Sequence, residues 1–548
     1  MAKHKRNFFA TVLPGGVFSC GVFVLAAMPP APAFAVQPQP GETLAAVQEY
    51  RYWLPDAIKT LDPQMISTPD EGDAVRQLFE GLMNEDATGA PVPGVADSVD
   101  VSGDGLTYRF HLRPGAKWSN GDPVTADDFV YAWRRLADPG TAAEYGDFVL
   151  LMNLANAEAV QKGDADPADL GVAAVDDRTL QVTLSRPTPS FLTMVTNPVT
   201  FPVPRKIIEA AGAGWTRPGT LVGNGAYVLS AHDLATGIEM TKNPAYWDAA
   251  NVVMARVTGE VLANPQQAVD RFAAGTLDRA PVPLGQPLPP AISAPGSVQR
   301  IPAPCTYAFL FNLGEKGPQA LKDVRVRAAL SYTFPRDEVT RDILQGAPYP
   351  AYSWTHRAIQ GVVMPPVDYA GWTQPQRIEQ ARGLLTEAGF GPENPLELTL
   401  RFNTDPLHRK IAEAAARAWQ PLGVKLSLDD ADWRQQAEWL RTGDFQIARY
   451  AWCADYNDAA SFLNFMTSDG PNPGGYRNAD FDRLMQTART APDPAADYGQ
   501  AELILSQDMP LIPVYHYARA TLLSPRIKGV SLQNAMGHWL AKDMYRVE

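Results

Sequence analysis

The chain has 548 residues, enough for several domains with large cores, and its formal net charge at pH 7 is −13. With 47 Lys and Arg against 60 Asp and Glu, and only seven His, the composition argues against nucleic-acid binding, because phosphate contacts need clustered cations. The acidity itself is interpreted as a contribution to solubility.

The first residues have the pattern of an export signal. Positive charges at 3–6 precede an apolar run at 17–27, and Ala33-Phe34-Ala35 fits the rule for signal cleavage. We predict removal after Ala35, which leaves about 513 residues with a net charge of −16. The residues before Cys20 make a poor lipoprotein signal, so soluble release is favoured over a lipid anchor. No later segment has the ~20 uninterrupted apolar residues of a spanning helix, and the mature protein is expected to be extracytoplasmic.

Cysteine usage fits an exported protein. After cleavage only Cys305 and Cys453 remain. Two thiols in an oxidising compartment most simply form one disulfide, and two buried free thiols are the alternative. A bond between them would close a loop of about 149 residues, for which the chain-entropy model gives roughly 5 kcal/mol.

In the first half of the chain, apolar periodicity and turn residues predict strands over 50–54, 105–112, the two halves of 170–184 and from 227, and helices over about 74–81, 125–136 and from 205. Thr125 and Asp128 form a capping-box pattern. Asp127 and Asp128 could suggest a metal, but carboxylates in a first helical turn more often favour the helix dipole, so no metal is predicted. The glycines at 223–225 lack the GK[ST] of a phosphate loop.

The second half of the chain opens with a locally proline-rich segment, 281–304, followed by a predicted strand over 306–312. Further strands are predicted over 396–403 and 424–428, and helices from 322, over 407–420 and over 433–441. This order of strands and helices is typical of an α/β fold, whereas 81–204 is richer in strands. No internal repeat at a fixed period is present.

The segment 447–465 carries the most informative chemistry. An apolar run at 447–452 predicts a buried strand, and Asp458 has the position of a helix cap. Arg449 and Asp455 place a cation and an anion six residues apart where strand meets loop. A zwitterionic peptide has the opposite pair of charges. On spacing alone, however, a structural ion pair or cap is the simpler interpretation.

Several stretches resemble the periplasmic oligopeptide-binding proteins of bacterial ABC peptide importers, which are family 5 solute-binding proteins. The stretches are LFEGLM at 78–83, WSNGDPVTADDFVYAW at 118–133, LGV and DDRTLQVTLSRP within 170–187, GNGAY at 223–227, CTY at 305–307, DVRVRAAL at 323–330 and WCADYNDAASFLN at 452–464. The motif at 118–133 is shared by the whole class. The WCADYN motif points to the oligopeptide branch.

The resemblance implies an α/β clamshell of two lobes with an extra domain inserted in the first lobe. Lobe I would comprise 36–80, 205–304 and 520–548, with the additional domain at 81–204, and lobe II would comprise 305–519. In such proteins the ligand is enclosed when the lobes close about a hinge. The peptide lies extended, bonded through its main chain, which suits broad specificity.

The resemblance also assigns ligand-binding positions residue by residue. Asp455 matches the carboxylate that binds the peptide's α-ammonium group. The other matching positions are Arg449, His408 and Lys316 at the carboxyl end of peptides of different lengths, Tyr145, Trp433 and Trp452 in the walls of the cleft, and Ala451 and Cys453, which would present their backbone. Cys305 and Cys453 match the disulfide of the family.

Some of these positions also have a structural interpretation. His408 could be a surface residue, Lys316 a solvated loop lysine and Trp433 a core residue. Two departures from the family pattern concern specificity. Ser67 stands where relatives carry an acidic residue, and Leu440 stands where a cleft arginine is expected.

The function implied is a monomeric, non-enzymatic periplasmic receptor without a cofactor that delivers oligopeptides to an inner-membrane ABC permease. A murein-peptide receptor on the same fold is one alternative, and a peptide sensor or chaperone without import is another. A hydrolase is not supported, because the sequence has no GxSxG, no HExxH and no clustered histidines.

Overall fold

The structure is a computed structural model, and it describes residues 38–282, 292, 296–361, 364, 366–491 and 493–548. The predicted export signal and its cleavage site after Ala35 lie outside the described residues, as does part of the proline-rich segment. Within the described part, no helix combines the length and the apolar character needed to cross a membrane.

The strands in chain order are β1 (Glu49–Leu54), β2 (Met83–Glu85), β3 (Pro91–Pro93), β4 (Ala96–Val101), β5 (Thr107–Leu112), β6 (Val172–Asp176), β7 (Thr179–Thr183), β8 (Tyr227–Asp233), β9 (Gly237–Lys242), β10 (Arg256–Val261), β11 (Arg279–Pro281), β12 (Val298–Phe311), β13 (Tyr349–Pro350), β14 (Leu396–Asn403), β15 (Val424–Ala431), β16 (Ile447–Cys453), β17 (Leu511–Leu523), β18 (Ile527–Lys528) and β19 (Tyr545–Arg546).

The helices are α1 (Pro69–Leu78), α2 (Ala126–Ala137), α3 (Phe148–Leu151), α4 (Ala157–Gln161), α5 (Phe191–Met194), α6 (Arg205–Ala211), α7 (Pro265–Ala273), α8 (Gln319–Lys322), α9 (Val324–Thr333), α10 (Arg336–Glu338), α11 (Gln374–Glu387), α12 (Pro406–Trp419), α13 (Trp433–Thr442), α14 (Ala460–Leu463), α15 (Ala479–Ala488) and α16 (Ala495–Asp508).

Two predicted boundaries are wrong. The helix predicted over 74–81 begins at Pro69 and ends at Leu78, because Thr68 and Glu71 form a capping box that sets an earlier start. The strand predicted over 306–312 is the second part of β12, which begins at 298 inside the proline-rich segment. Its prolines are tolerated because the pairing register shifts between Pro302 and Thr306.

One sheet of eleven strands extends through the fold in the order β15-β14-β16-β12-β17-β11-β1-β10-β9-β8, with β13 also paired to β17. Strands β12 and β17 are long, with 14 and 13 residues, and both halves of the sheet share them. Their pairing has two stretches, 298–302 with 518–522 and 306–310 with 511–516. The register shift between the stretches therefore marks the junction of the two halves.

The half of the sheet that contains β16 is covered on both faces. Along β12, Tyr307 and Phe309 pack into one hydrophobic cluster with side chains of α9, α11 and α12. The alternate residues Ala308 and Leu310 pack into another cluster, with side chains of α14, α15 and α16. Burial of both faces explains why residues 307–311 of β12 are apolar without alternation. The edge of β16 is thus held on a rigid layer.

The segment 81–204 contains a separate antiparallel sheet in the order β4-β5-β7-β6. Helix α2 packs against it through Phe129, Trp133 and Leu136, all buried as the predicted face requires. The Asp128 carboxylate accepts the Thr125 amide N–H at 2.8 Å, so this residue caps the helix as predicted.

The glycines at 223–225 have a structural role. A Cβ atom on Gly223 would lie 2.1 Å from the Leu78 carbonyl oxygen, and one on Gly225 would lie 2.6 Å from the Leu78 carbonyl carbon. Between them, Asn224 bonds to both the N–H and the C=O of Glu80, at 3.0 and 2.8 Å. Only glycine allows this approach of two backbones, which joins the end of α1 to the turn before β8.

Candidate ligand-binding site

The edge of β16 is open over most of its length. Strand β12 pairs with β16 from Ile447 to Cys453, whereas β14 on the other side pairs only with Ile447 and Ala448. Beyond Ala448 this side has no strand partner within the described ranges. An exposed row of backbone N–H and C=O groups can pair with another extended chain. Ala451 and Cys453, the residues predicted to present their backbone, belong to this part of the strand.

The predicted disulfide between Cys305 and Cys453 is confirmed, with an S–S distance of 2.04 Å. The two cysteines are register partners on β12 and β16. Ala454 continues the connection, because its N–H donates to the Pro304 carbonyl at 2.8 Å. The bond therefore fixes the start of the Asp455 loop beside the junction of the two halves of the sheet.

Asp455 lies just beyond this bond and is half-buried. Its backbone N–H donates to the Ser461 hydroxyl at 3.0 Å, but its carboxylate has no hydrogen-bond donor and no cation among the residues that the structure describes. Burial, together with the nearby charge of Asp147, raises the pKa of the Asp455 carboxyl to about 6. A partly desolvated carboxylate without a partner is costly, and a cationic ligand would relieve that cost.

Residues of the 81–204 segment interact electrostatically with the same carboxylate. Tyr145 is 41% exposed, and after burial the charge of Asp455 is the next cause that raises the pKa of its phenol. Asp147 follows two residues later and acts on Asp455 itself. The Asp455 carboxylate is therefore close enough to the 81–204 segment for their charges to interact.

The two predicted tryptophans differ in their surroundings. Trp433 opens α13 and is 61% exposed, so the interpretation of this residue as a core residue is wrong. Trp452 is half-buried, donates its indole N–H to the Ser461 carbonyl at 2.7 Å and lies 4.8 Å from the Phe465 ring. Both keep surface available to a ligand.

Arg449 forms a second polar cluster with Tyr307 and His408. Its guanidinium carbon lies 5.1 Å from the centre of the Tyr307 ring, and its Nε atom is buried without a hydrogen-bond partner in the described structure. His408 Nδ1 is 3.5 Å from the Tyr307 hydroxyl, and burial and the Arg449 charge lower the His408 pKa to about 4. A guanidinium beside a neutral imidazole keeps its positive charge without a competing cation and is suited to an anionic group. Within the described residues, Arg449 and Asp455 form no ion pair with each other.

Other predicted positions have local partners. Lys316 is exposed and its ammonium donates to the Thr442 carbonyl at 2.8 Å. Leu440 packs against the core from a half-buried position. The N–H of Ser67 donates to the Glu71 carboxylate at 2.8 Å, so Ser67 belongs to the cap of α1.

Two residues beside Asp455 are missing from the sequence prediction. The Ser461 hydroxyl accepts the Asp455 backbone N–H. Asp147, more than 300 residues earlier in the sequence, raises the pKa of the Asp455 carboxyl through its charge. Ser461 belongs to the family motif at 452–464, which is the signal that points to it. No local pattern announces Asp147.

Comparison with known proteins identifies the class. The family described as bacterial extracellular solute-binding proteins, family 5, middle, matches residues 90–474. The chain belongs to this family of extracellular binding proteins.

Three relatives are similar over nearly their whole length. The periplasmic oligopeptide-binding protein OppA of Salmonella typhimurium is 38% identical over 500 residues, which cover 90% of this chain and 91% of OppA. The periplasmic murein peptide-binding protein MppA of Escherichia coli is 37% identical, and the probable deoxycholate-binding periplasmic protein YgiS of the same organism is 38% identical. Each of these two alignments covers 94% of this chain and 96% of the relative.

Solved structures share the bilobal periplasmic-binding fold. The unliganded open form of the murein tripeptide-binding protein MppA superposes with a TM-score of 0.86, at 36% identity, and covers 93% of this chain and 99% of MppA. Haemophilus influenzae OppA in complex with the peptide RPPGFSPFR gives 0.66, at 32% identity, and covers 92% and 100%. The present chain is thus closer in overall arrangement to the unliganded open form than to the peptide complex.

Proposed function

We propose that the chain is a periplasmic receptor that captures oligopeptides between its lobes and delivers them to an ABC permease of the inner membrane. The observation that carries this proposal is the half-buried carboxylate of Asp455, which has no cation among the described residues and lies beside an open strand edge. The relationship to OppA and MppA supports the same assignment.

Three groups of the site match the three parts of a peptide. The α-ammonium group supplies the cation for Asp455, and the extended main chain pairs with the backbone of Ala451 and Cys453. The Arg449 guanidinium offers its positive charge to the carboxyl end. The backbone and the two termini are common to all peptides, so these contacts favour broad side-chain specificity. Tyr145, Trp433 and Trp452 form walls, and His408 and Lys316 serve longer peptides.

The proposal also includes the export of the protein, its oligomeric state and the boundaries of its lobes. Export ends with cleavage after Ala35, and the mature receptor acts as a monomer without a catalytic step. Lobe I comprises 36–80, 205–304 and 520–548, with the additional domain at 81–204, and lobe II comprises 305–519.

The names of two relatives indicate two other classes of ligand, murein peptides and deoxycholate. A murein peptide also carries a free amino end and fits the same carboxylate, so MppA-like binding is the nearest alternative. A deoxycholate-like ligand, as in the name of YgiS, is an anion without an ammonium group. It would leave Asp455 unpaired and would repel it, which favours a peptide at this site. A peptide sensor or chaperone would share the cleft and differ only in its partners.

The experiment that tests the proposal is mass spectrometry of the molecules that co-purify with the protein under native conditions. We expect intact peptides with free α-amino groups, and their integrity after long incubation excludes hydrolysis. Recovery of murein peptides would assign the ligand class to that alternative, and recovery of steroids without peptides would contradict the proposal. Loss of labelled-peptide uptake in a strain without the gene separates import from sensing.

Peptide affinity is expected to fall as the pH is lowered through 6. The Asp455 carboxyl has a pKa of about 6 in the ligand-free protein, and its protonated form cannot pair with an ammonium group. Below that pH the affinity should decrease by up to about tenfold per pH unit, because binding then requires release of a proton. Calorimetry between pH 5 and 8 measures the effect. An N-acetylated peptide is the control, and an equal pH dependence for both peptides would contradict the assignment.

A further inference from the structure

Residues 86–90 form a turn between β2 and β3. The Asp86 carboxylate accepts the Thr88 N–H, the Thr88 hydroxyl and the Ala90 N–H at 2.8, 2.7 and 3.0 Å, and Gly89 has the positive φ of +82° that favours glycine. At its base, the Glu85 carboxylate accepts the Asn534 side-chain N–H at 2.8 Å. The turn is therefore fixed both internally and at its base.

The tip of this turn fits against the loop that carries Asp455. The Asn457 side-chain amide donates to the carbonyls of Gly89 and Thr88, at 3.1 and 3.4 Å, and accepts the backbone N–H of Gln360 at 3.2 Å. The Gln360 side chain donates to the Thr88 hydroxyl and carbonyl, at 2.8 and 3.1 Å. Asn457 is only 4% exposed, so these bonds satisfy a polar group that could not reach water.

The fit is close enough to exclude a side chain. A Cβ atom on Gly89 would lie 2.7 Å from the Asn457 amide nitrogen and 2.8 Å from the Asn534 side-chain oxygen. Any larger residue at 89 must therefore displace the side chains of both Asn457 and Asn534, and the positive φ adds strain.

Asn457 follows Asp455 by two residues in a loop without regular secondary structure. The loop is held at its ends by the disulfide at Cys453 and by the Asp458 carboxylate, which accepts the Ala460 N–H at 2.8 Å. Between these points, the Ala454 N–H donates to the Pro304 carbonyl, the Asp455 N–H donates to the Ser461 hydroxyl, and Asn457 joins the loop to the Thr88–Gly89 turn.

We propose that Asn457, anchored on the Thr88–Gly89 turn, is a positioning residue that sets the location of the Asp455 carboxylate for the α-ammonium group of the ligand. This inference rests on the proposed function, since it concerns the same site. It adds that amino-end recognition depends on a contact between a turn after residue 85 and a loop nearly 370 residues later.

The test compares Kd for one peptide with Kd for its N-acetylated form, measured by calorimetry on the full-length protein and its variants. The ratio of the Kd of the N-acetylated peptide to the Kd of the free peptide reports recognition of the ammonium group. A loss of stability alone does not change this ratio. We expect Asn457→Ala to lower this ratio by about tenfold, equivalent to about 1.4 kcal/mol. Gly89→Ala keeps Asn457 but displaces it, and the same loss is expected.

Gly103→Ala is the matched control, because a Cβ atom there meets nothing within 4 Å, and it should keep the wild-type ratio. If the wild type discriminates between the two peptides and both Asn457→Ala and Gly89→Ala discriminate equally well, the positioning role is refuted. If the wild-type protein itself binds both forms with the same Kd, the proposed function fails instead.

Discussion

Asp455→Asn is expected to weaken peptide binding by about 2–5 kcal/mol, because the α-ammonium group of a bound peptide would lose its charged partner in a site closed to water. The substitution keeps the shape of the side chain and removes only its charge. Calorimetry with one defined peptide at pH 7.5 measures the loss. Asp164→Asn, at an exposed position on another part of the surface, is the control and should leave the affinity unchanged.

The pairing can be isolated by changing the ligand as well. Acetylation of the peptide's α-amine removes the other member of the same pair, so the effects of acetylation and of Asp455→Asn should not add. Clear additivity of the two free-energy changes would show that the carboxylate and the amine do not meet.

The same substitution should make the ligand-free protein more stable. The folded protein raises the pKa of this carboxyl from 3.8 to about 6, so ionisation at neutral pH disfavours the folded state. This destabilisation is complete above about pH 6 and disappears as the pH falls below the unfolded value. After allowance for partial exposure, we expect a gain of about 1–2 kcal/mol at pH 7.5 in the denaturant unfolding of the variant. Such an exchange of stability for binding is common at functional sites.

Replacing both cysteines by serine should lower the free energy of unfolding by up to about 5 kcal/mol, because the unfolded chain regains the freedom of a loop of about 150 residues. The bond joins Cys305 and Cys453, which are 148 residues apart in sequence. Denaturant unfolding with the oxidised wild type as reference measures the change.

Reductant supplies the control for this double variant. Wild-type protein treated with reductant should unfold at the same denaturant concentration as the variant, and the variant itself should not respond to reductant. Equal midpoints for the oxidised wild type and the variant would contradict a stabilising role for the bond.

Local patterns predicted the elements that build the site. The apolar run at 447–452 is β16, and the helices predicted over 407–420 and 433–441 are α12 and α13 within one or two residues. These predictions are correct because apolar periodicity and helix caps depend on residues that are close together in the sequence. The family motifs supplied Asp455 as a candidate, and the structure supplies the reason to keep it, which is a carboxylate without a partner among the described residues.

Distant pairings could not be predicted in this way. The contact of Asn457 with Thr88 spans 369 residues, and no local pattern at either end announces it. The approach of Asp147 to Asp455 is of the same kind. The sequence does not predict the first part of β12, because prolines normally end a strand. Here the prolines lie at a register shift between β12 and β17.

The central place of β17 in the large sheet affects how the protein is made. This strand lies between β12 and β11, yet its residues follow those of every other strand of that sheet in the sequence. Until they emerge, the two halves of the sheet have no common neighbour, and pairings of such high sequence separation form slowly. The growing chain therefore cannot complete this sheet before residues 511–523 have been made.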